Sequence, residues 1–170
     1  SELSKCNDYL MPQNGDRVLI TSVKLSLDEL KETFSFPFLY FDHETPLEIT
    51  NSYKTPHTLG LDRLAGVIGA KSFKNEGNIL VIDMGTCITY DFLSKKNIYL
   101  GGAISPGLKM RARAMHEFTA RLPLINVQNQ ETPYLGTDTT SCMASGIYHG
   151  IAEEIKGFIQ RYREDFGHIE

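Results

Sequence analysis

The sequence lacks several things, and each absence narrows the reading. No apolar run approaches membrane-spanning length, and the N-terminal SELSKCNDYL has no basic segment followed by an apolar one, so neither a transmembrane helix nor a signal peptide is expected. A cytoplasmic location is the default. Basic charge is short: 17 Lys and Arg face 21 Asp and Glu, and the net charge of -4 argues against nucleic acid as a partner. Cysteine is sparse, since Cys6, Cys87 and Cys142 are widely spaced and form no Cys-x-x-Cys. Disulfides and structural zinc are therefore not expected, and the thiols are read as reduced and mostly buried. Cys87, beside Thr86, is small core filler or a reactive thiol, the former being the commoner use. The histidines at 43, 57, 116, 149 and 168 show no metal-ligand spacing, which gives no zinc site. Internal repeats and low-complexity tracts are missing too. What is present, 170 residues of which 41% are hydrophobic, suffices for one large domain or two small ones.

The most informative stretch is Asn78 to Gly107. Ile79 to Ile82 reads as a buried strand that delivers Asp83 into a turn at Met84, Gly85 and Thr86. Thr86 to Leu93 alternates and is rich in β-branched and aromatic residues, the pattern of an antiparallel return strand. Gly85 removes a side chain where a ligand must come close, and Thr86 offers a hydroxyl and an amide, so the turn suits a phosphate. Asp83 and Asp91 are hard oxygen donors of the kind that hold potassium or magnesium beside a nucleotide. A third turn is expected at Gly101-Gly102-Ala103-Ile104-Ser105-Pro106-Gly107, leading from a strand at Ile98 to Leu100 into a helix whose start favours anions. Singly, each piece is more often an ordinary turn; their order and closeness point to phosphate chemistry.

Around this stretch the chain reads as follows. Ser1 to Asp16 is polar and irregular. Arg17 to Val23 reads as a buried strand, and Ser26 with Glu29 has capping-box form for a helix to about Thr33. The aromatic segment Phe34 to Phe41 suits a β-rich core or a subunit contact. A brief strand is expected at Leu47 to Ile49. Leu61, Leu64, Ala65 and Ile68 repeat at helical spacing, which puts Asp62 and Arg63 in a first helical turn after Gly60. Asp62 is there either a cap or a proton acceptor, and Arg63, facing elsewhere, an anion holder. Leu108, Ala112, Met115 and Phe118 mark a helix ending near Arg121, with Lys109, Arg111, Arg113 and Arg121 on its solvated side. Thr139 or Thr140 caps a last helix with an apolar stripe of Met143, Ile147, Ile151, Ile155, Phe158, Ile159 and Tyr162. Gly146 and Gly150 would let another helix approach, in a core or in a dimer seam.

Taken in order, Tyr53, Pro56, Leu59-Gly60-x-Asp62-Arg63, Asp83-x-Gly85-Thr86-x-x-Thr89-x-Asp91, Gly101-Gly102-x-Ile104-x-Pro106-Gly107, Thr119-Ala120-x-Leu122-Pro123 and Gly136-x-x-Thr139 resemble the motifs of type III pantothenate kinase. The resemblance spans Tyr53 to about Gly150. It implies an α/β actin-like ATPase fold of two ribonuclease H-like halves, with mixed sheets flanked by helices, and a homodimer. Residues 1–65 would be the remainder of the first half and 66–170 most of the second. It further implies γ-phosphoryl transfer from ATP to the primary hydroxyl of pantothenate, the first step of coenzyme A biosynthesis, with Mg2+ and a monovalent cation, K+ or NH4+. By motif position, Asp62 would be the general base; Tyr53, Gly60, Leu61, Asp62, Arg63 and Thr139 would contact pantothenate. Gly85 and Thr86 would contact ATP, and Asp83 the monovalent cation. The family's Asp-x-Gly-Asn-Thr turn does not occur before Asp62, and its last strand and second Gly-Gly turn do not follow the long helix, so the fold is expected to be incomplete at both ends. The alternatives are a non-catalytic regulatory protein of the same fold and another actin-like small-molecule kinase.

Overall fold

The computed structural model describes residues 12–74, 76–127 and 132–170. The expectations for the N-terminal segment with Cys6, and for part of the polar connection before Pro133, lie outside the described residues.

The first elements are short. β1 (Leu19–Ile20) and β2 (Leu39–Tyr40) pair in parallel, joined by α1 (Leu27–Thr33). That helix begins as its capping box requires: Glu29 N donates to Ser26 Oγ, and Ser26 N donates back to the Glu29 carboxylate. The buried strand expected over Arg17 to Val23 is corrected to two residues. Leu19 and Val23 are 59% and 91% exposed, because among the described residues β2 is the only strand beside β1 and nothing covers its outer face.

A four-stranded mixed sheet forms the body, in the order β3 (Thr50–Asn51), β6 (Ile98–Pro106), β5 (Cys87–Leu93), β4 (Ile79–Met84). β4, β5 and β6 are antiparallel neighbours, and β3 joins β6 in parallel. The strand expected at Leu47 to Ile49 falls instead on the next two residues, because Ile49 turns inward to the core and Thr50 and Asn51 take the pairing with Ile98 and Tyr99. At the opposite edge Ile169 bridges Asn78 in parallel, with Glu170 N donating to Asn78 O.

The period-2 alternation of the strands sends residues to two cores. Ile79, Val81, Leu93 and Tyr99 pack with Leu61, Leu64 and Val67 of α2 (Leu61–Phe73). Leu80, Ile88, Tyr90 and Phe92 pack on the other face with Ala112 of α3 (Leu108–Glu117) and with Met143, Ile147 and Ile151 of α4 (Thr139–Phe166). Each fully buried aliphatic side chain here contributes about 1.5–3 kcal/mol. The expected stripe of α4 is the one that packs: Ile155, Phe158, Ile159 and Tyr162 continue it along the sheet.

Several local expectations are corrected. Gly101 and Gly102 form no turn; β6 runs through them to Pro106, and a register shift at Phe92/Leu93 places a bulge there. Gly101 has φ +104°, and a Cβ on it would stand 3.3 Å from the Tyr53 ring. These glycines serve close approach within the protein. α3 ends at Glu117, short of Arg121, and Phe118 is 84% exposed, because Thr119 Oγ1 caps back onto Met115 O and the chain turns away. Asp138, not Thr139 or Thr140, caps α4, since its carboxylate reaches the amide of Ser141 from outside the helix. Cys142 is exposed and Cys87 half-buried, against the expectation of mostly buried thiols. Gly146 and Gly150 are exposed, and a Cβ on either would meet nothing within 4 Å, so no helix among the described residues uses that approach.

Candidate active site

A single 3-10 turn, Pro56–Thr58, brings the chain to Gly60, the N-cap of α2. No side chain caps this helix. Asp62 folds back instead: its Oδ1 accepts from Arg63 N at 2.9 Å, and a Cβ built on Gly60 would stand 2.4 Å from that same oxygen. The glycine clears the space in which the carboxylate rests. Asp62 is exposed, so its second oxygen faces solvent at the positive end of a helix.

Arg63 points the other way, into the sheet. Its Nε lies 3.0 and 3.2 Å from the two Asp91 oxygens, and its Nη2 lies 2.6 Å from Oδ1. Tyr99 Oη donates to that oxygen too, at 2.6 Å. Asp91 is 1% exposed and Tyr99 is 0%. Burial and the adjacent Asp91 carboxylate hold the Tyr99 hydroxyl well above its ordinary pKa. Burial is the largest influence on Arg63 and works to lower its pKa, but the hydrogen bonds and charge of Asp91, with smaller help from Tyr99 and Tyr53, together raise it. Tyr53 lies against the same guanidinium, with its ring over Gly101 and its amide bonded to Asn51 Oδ1. Asp91, read as an oxygen ligand for a cation, is thus corrected to the buried counter-ion of Arg63: both its oxygens are already engaged.

Past the start of α2 the same face of the sheet is open. Asp83 follows Val81 on it, opposite Thr89 and then Ile104, and Ile104 is 60% exposed. The hairpin closes at Gly85 and Thr86, both exposed, with Gly85 N donating to Cys87 O. Tyr53, Gly60, Leu61, Asp62 and Arg63 are therefore gathered at one helix start, and Asp83 lies on the same face with Gly85 and Thr86 at its end. Leu61 is 8% exposed with its side chain in the core, so only its backbone is offered to a ligand. Thr139 opens α4 on the opposite face and does not join this group within one chain.

Asp83 is an exposed hard oxygen donor and fits a cation beside a phosphate. Among the described residues no group of three or more His, Cys, Asp or Glu converges as a metal site, so such an ion would draw most of its ligands from water, nucleotide or other parts of the protein. No helix of the described residues is long and apolar enough to cross a membrane. The residue that sequence reading missed is Tyr99. No local pattern marks it: its bond to Asp91 arises from the pairing of β6 with β5, where Gly102, opposite Asp91, lets the two backbones close, a Cβ there standing 1.5 Å from Tyr90 O.

A mixed sheet with helices on both faces, a glycine hairpin and a carboxylate at a helix start defines an α/β class consistent with the actin-like ATPase fold. Within it, the family described as type III pantothenate kinase matches residues 3–161, and the chain belongs to that family. A type III pantothenate kinase of Bacteroides fragilis is 45% identical over 161 residues, which is 95% of this chain and 65% of the relative. One from Phocaeicola vulgatus is 42% identical over 161 residues, covering 95% and 66%. One from Flavobacterium johnsoniae is 46% identical over 130 residues, covering 76% and 53%. The chain thus spans about half to two thirds of these relatives' length. A Campylobacter jejuni crystal structure, described as of a Baf family transcriptional activator, is similar with TM-score 0.58 and 24% identity over 90% of this chain and 68% of that one, a likeness of fold alone.

Proposed function

We propose that the protein carrying this chain is a kinase that moves the γ-phosphoryl group of ATP to the primary hydroxyl of pantothenate, the first step towards coenzyme A. The observation that carries the reading is Asp62: an exposed carboxylate at a helix start, held by its neighbour's amide over a glycine that makes room for it. Such a group accepts the hydroxyl proton as the oxygen attacks phosphorus. Arg63, with its inner donors on Asp91, keeps outer donors for the substrate, alongside Tyr53 and the backbone of Gly60 and Leu61. Gly85 and Thr86 take the nucleotide phosphates, and Asp83 holds the monovalent cation, which with Mg2+ supplies positive charge near the transferred group. A homodimer suits the exposed Gly146 and Gly150 of α4, and a cytoplasmic setting suits a family of metabolic kinases. A contact from Thr139 to the same pantothenate would then come from the second copy, since Thr139 and Asp62 lie on opposite faces of the sheet. In the two-half fold, we assign β1, α1 and β2 to the first half. We assign the four-stranded sheet with its helices to the second; that α2 runs through residue 65 and β3 pairs with β6 supports a division before β3 in place of the expected 65/66.

The test is pantothenate-dependent ADP release with Mg2+, with and without K+, for wild type and Asp62→Asn. Turnover of the variant should fall by about two to four orders of magnitude with its unfolding midpoint unchanged. Near-wild-type turnover removes Asp62 from the role of base.

A further inference from the structure

On the face of the sheet away from Asp62 lies a polar cluster that the proposed reaction does not use. Glu154, midway along α4, is 22% exposed. Its Oε1 accepts from Tyr90 Oη at 2.8 Å and from Ser105 Oγ at 2.5 Å; its Oε2 accepts from Arg111 Nη2 at 2.5 Å. Arg111 also donates through Nε to Pro106 O at 2.7 Å. The expectation of Arg111 as a solvated surface cation is corrected: its side chain is 22% exposed and doubly engaged. One carboxylate thereby ties α4 to β5, β6 and the start of α3. Apolar packing would hold these elements together at least as well, so what a satisfied polar cluster adds is a fixed geometry.

The geometry it fixes continues to the hairpin. The next residue after Pro106, Gly107, donates its amide to Thr86 O at 3.0 Å. A Cβ on Gly107 would stand 2.3 Å from Gly85 O and 2.6 Å from Thr86 O, so the two corners touch backbone to backbone with no side chain between them. Cys87 and Pro106 are paired in the ladder just behind. Glu154, Arg111, the Pro106 carbonyl, Gly107 and Thr86 form one unbroken line of contacts from a helix on one face of the sheet to the turn at its end.

We propose that Glu154 and Arg111 are positioning residues for the nucleotide turn. They hold the Pro106–Gly107 corner, and the corner sets where the amide and hydroxyl of Thr86 stand. This rests on the reading of Gly85 and Thr86 as the phosphate contacts. Both act through the corner and not as phosphate contacts; a small displacement of the turn is their lever, and displacements near 1 Å cost up to about a hundredfold in such sites.

The test uses Glu154→Gln in the whole protein that carries this chain, with Glu153→Gln, an exposed neighbour paired along the helix with Lys156, as the control of equal charge change. KM for ATP should rise roughly tenfold in Glu154→Gln while KM for pantothenate stays within about twofold, and the control should match wild type. Hydrogen exchange at the amides of Gly85 and Gly107 should quicken in the same variant without nucleotide present. Arg111→Lys, which keeps the charge but cannot reach both Glu154 and Pro106 O, should do the same if Glu154→Gln folds poorly. A lowered unfolding midpoint with unchanged KM for ATP and unchanged exchange at those amides overturns the proposal and leaves the cluster a structural tie. A wild-type protein without pantothenate-dependent ADP release overturns the kinase reading instead; the exchange measurement still decides whether Glu154 governs the turn.

Discussion

Asp91→Ala is the sharpest perturbation of the Arg63 anchor. It leaves a guanidinium, 8% exposed as a side chain, without its counter-ion, and it removes the acceptor of the fully buried Tyr99 hydroxyl. Breaking a buried pair by removing one partner costs about 3–5 kcal/mol, and stranding a buried hydroxyl costs a further 1–3 kcal/mol or so. That is a large share of the roughly 5–15 kcal/mol that holds a domain together, and it lowers the melting temperature by roughly 10–30 °C. The measurement is urea unfolding followed by circular dichroism, with the slope checked for two-state behaviour. Arg63→Met with Asp91→Leu should restore most of the loss, because a packed apolar pair replaces a charged one at little cost. That double variant should nonetheless be inactive, since the anchor that presents Asp62 and the outer donors of Arg63 is gone. A single-variant cost under about 1 kcal/mol, or a double variant that loses as much as its two singles together, refutes the reasoning.

Two other outcomes are expected. Gly60→Ala should lower pantothenate-dependent turnover at least about tenfold with a stability change under roughly 1 kcal/mol. Gly60 has φ -58° and ψ 128°, which alanine adopts freely, while the new Cβ evicts the Asp62 oxygen from its resting place; unchanged turnover would mean that the resting position of Asp62 is irrelevant to the reaction. For pH, burial alone would raise the Glu154 carboxyl, but the hydrogen bonds from Ser105, Arg111 and Tyr90 reverse this and hold it below its ordinary value of 4.5. A depressed carboxylate stabilises the fold above its unfolded pKa and loses that contribution as pH falls through the folded one. The stability gap between wild type and Glu154→Gln should therefore be constant above about pH 4.5 and shrink below it; a gap that stays constant down to about pH 3 contradicts the assignment.

Much of this was legible in the sequence where local chemistry decides the outcome. Ser26 and Glu29 announced α1 because a capping box is complete within four residues, and the stripe from Met143 to Tyr162 announced α4 because helical spacing and burial agree along its whole length. Gly60, Asp62 and Arg63 were placed at a helix start by the same periodicity. What failed was whatever depends on the partner. Gly101-Gly102 looks like a turn by composition, and only the pairing of β6 with β5, with Tyr53 lying on Gly101, makes it strand. Asp91 looks like a ligand because it is a carboxylate near another, and only Arg63, 28 positions earlier, makes it a counter-ion. The same holds for Arg111, whose partner Glu154 lies 43 positions on.

Strand β5 shows why these long-range errors were linked. Its side chains alternate, so Asp91 reaches the face of α2 and Tyr90 reaches the face of α4. One strand thus carries the counter-ion of the Arg63 anchor and one of the donors of the Glu154 cluster, on adjacent residues. A one-residue slip of β5 would turn Tyr90 towards Arg63 and Asp91 towards Glu154, stranding a guanidinium on one face and setting two carboxylates together on the other. Both polar groups are satisfied in one register only, whereas an apolar core on each side would tolerate the slip far better. The placement of the turn at Gly85 and Thr86, at the end of that same strand, follows from the register that the buried Asp91 and the half-buried Glu154 cluster enforce.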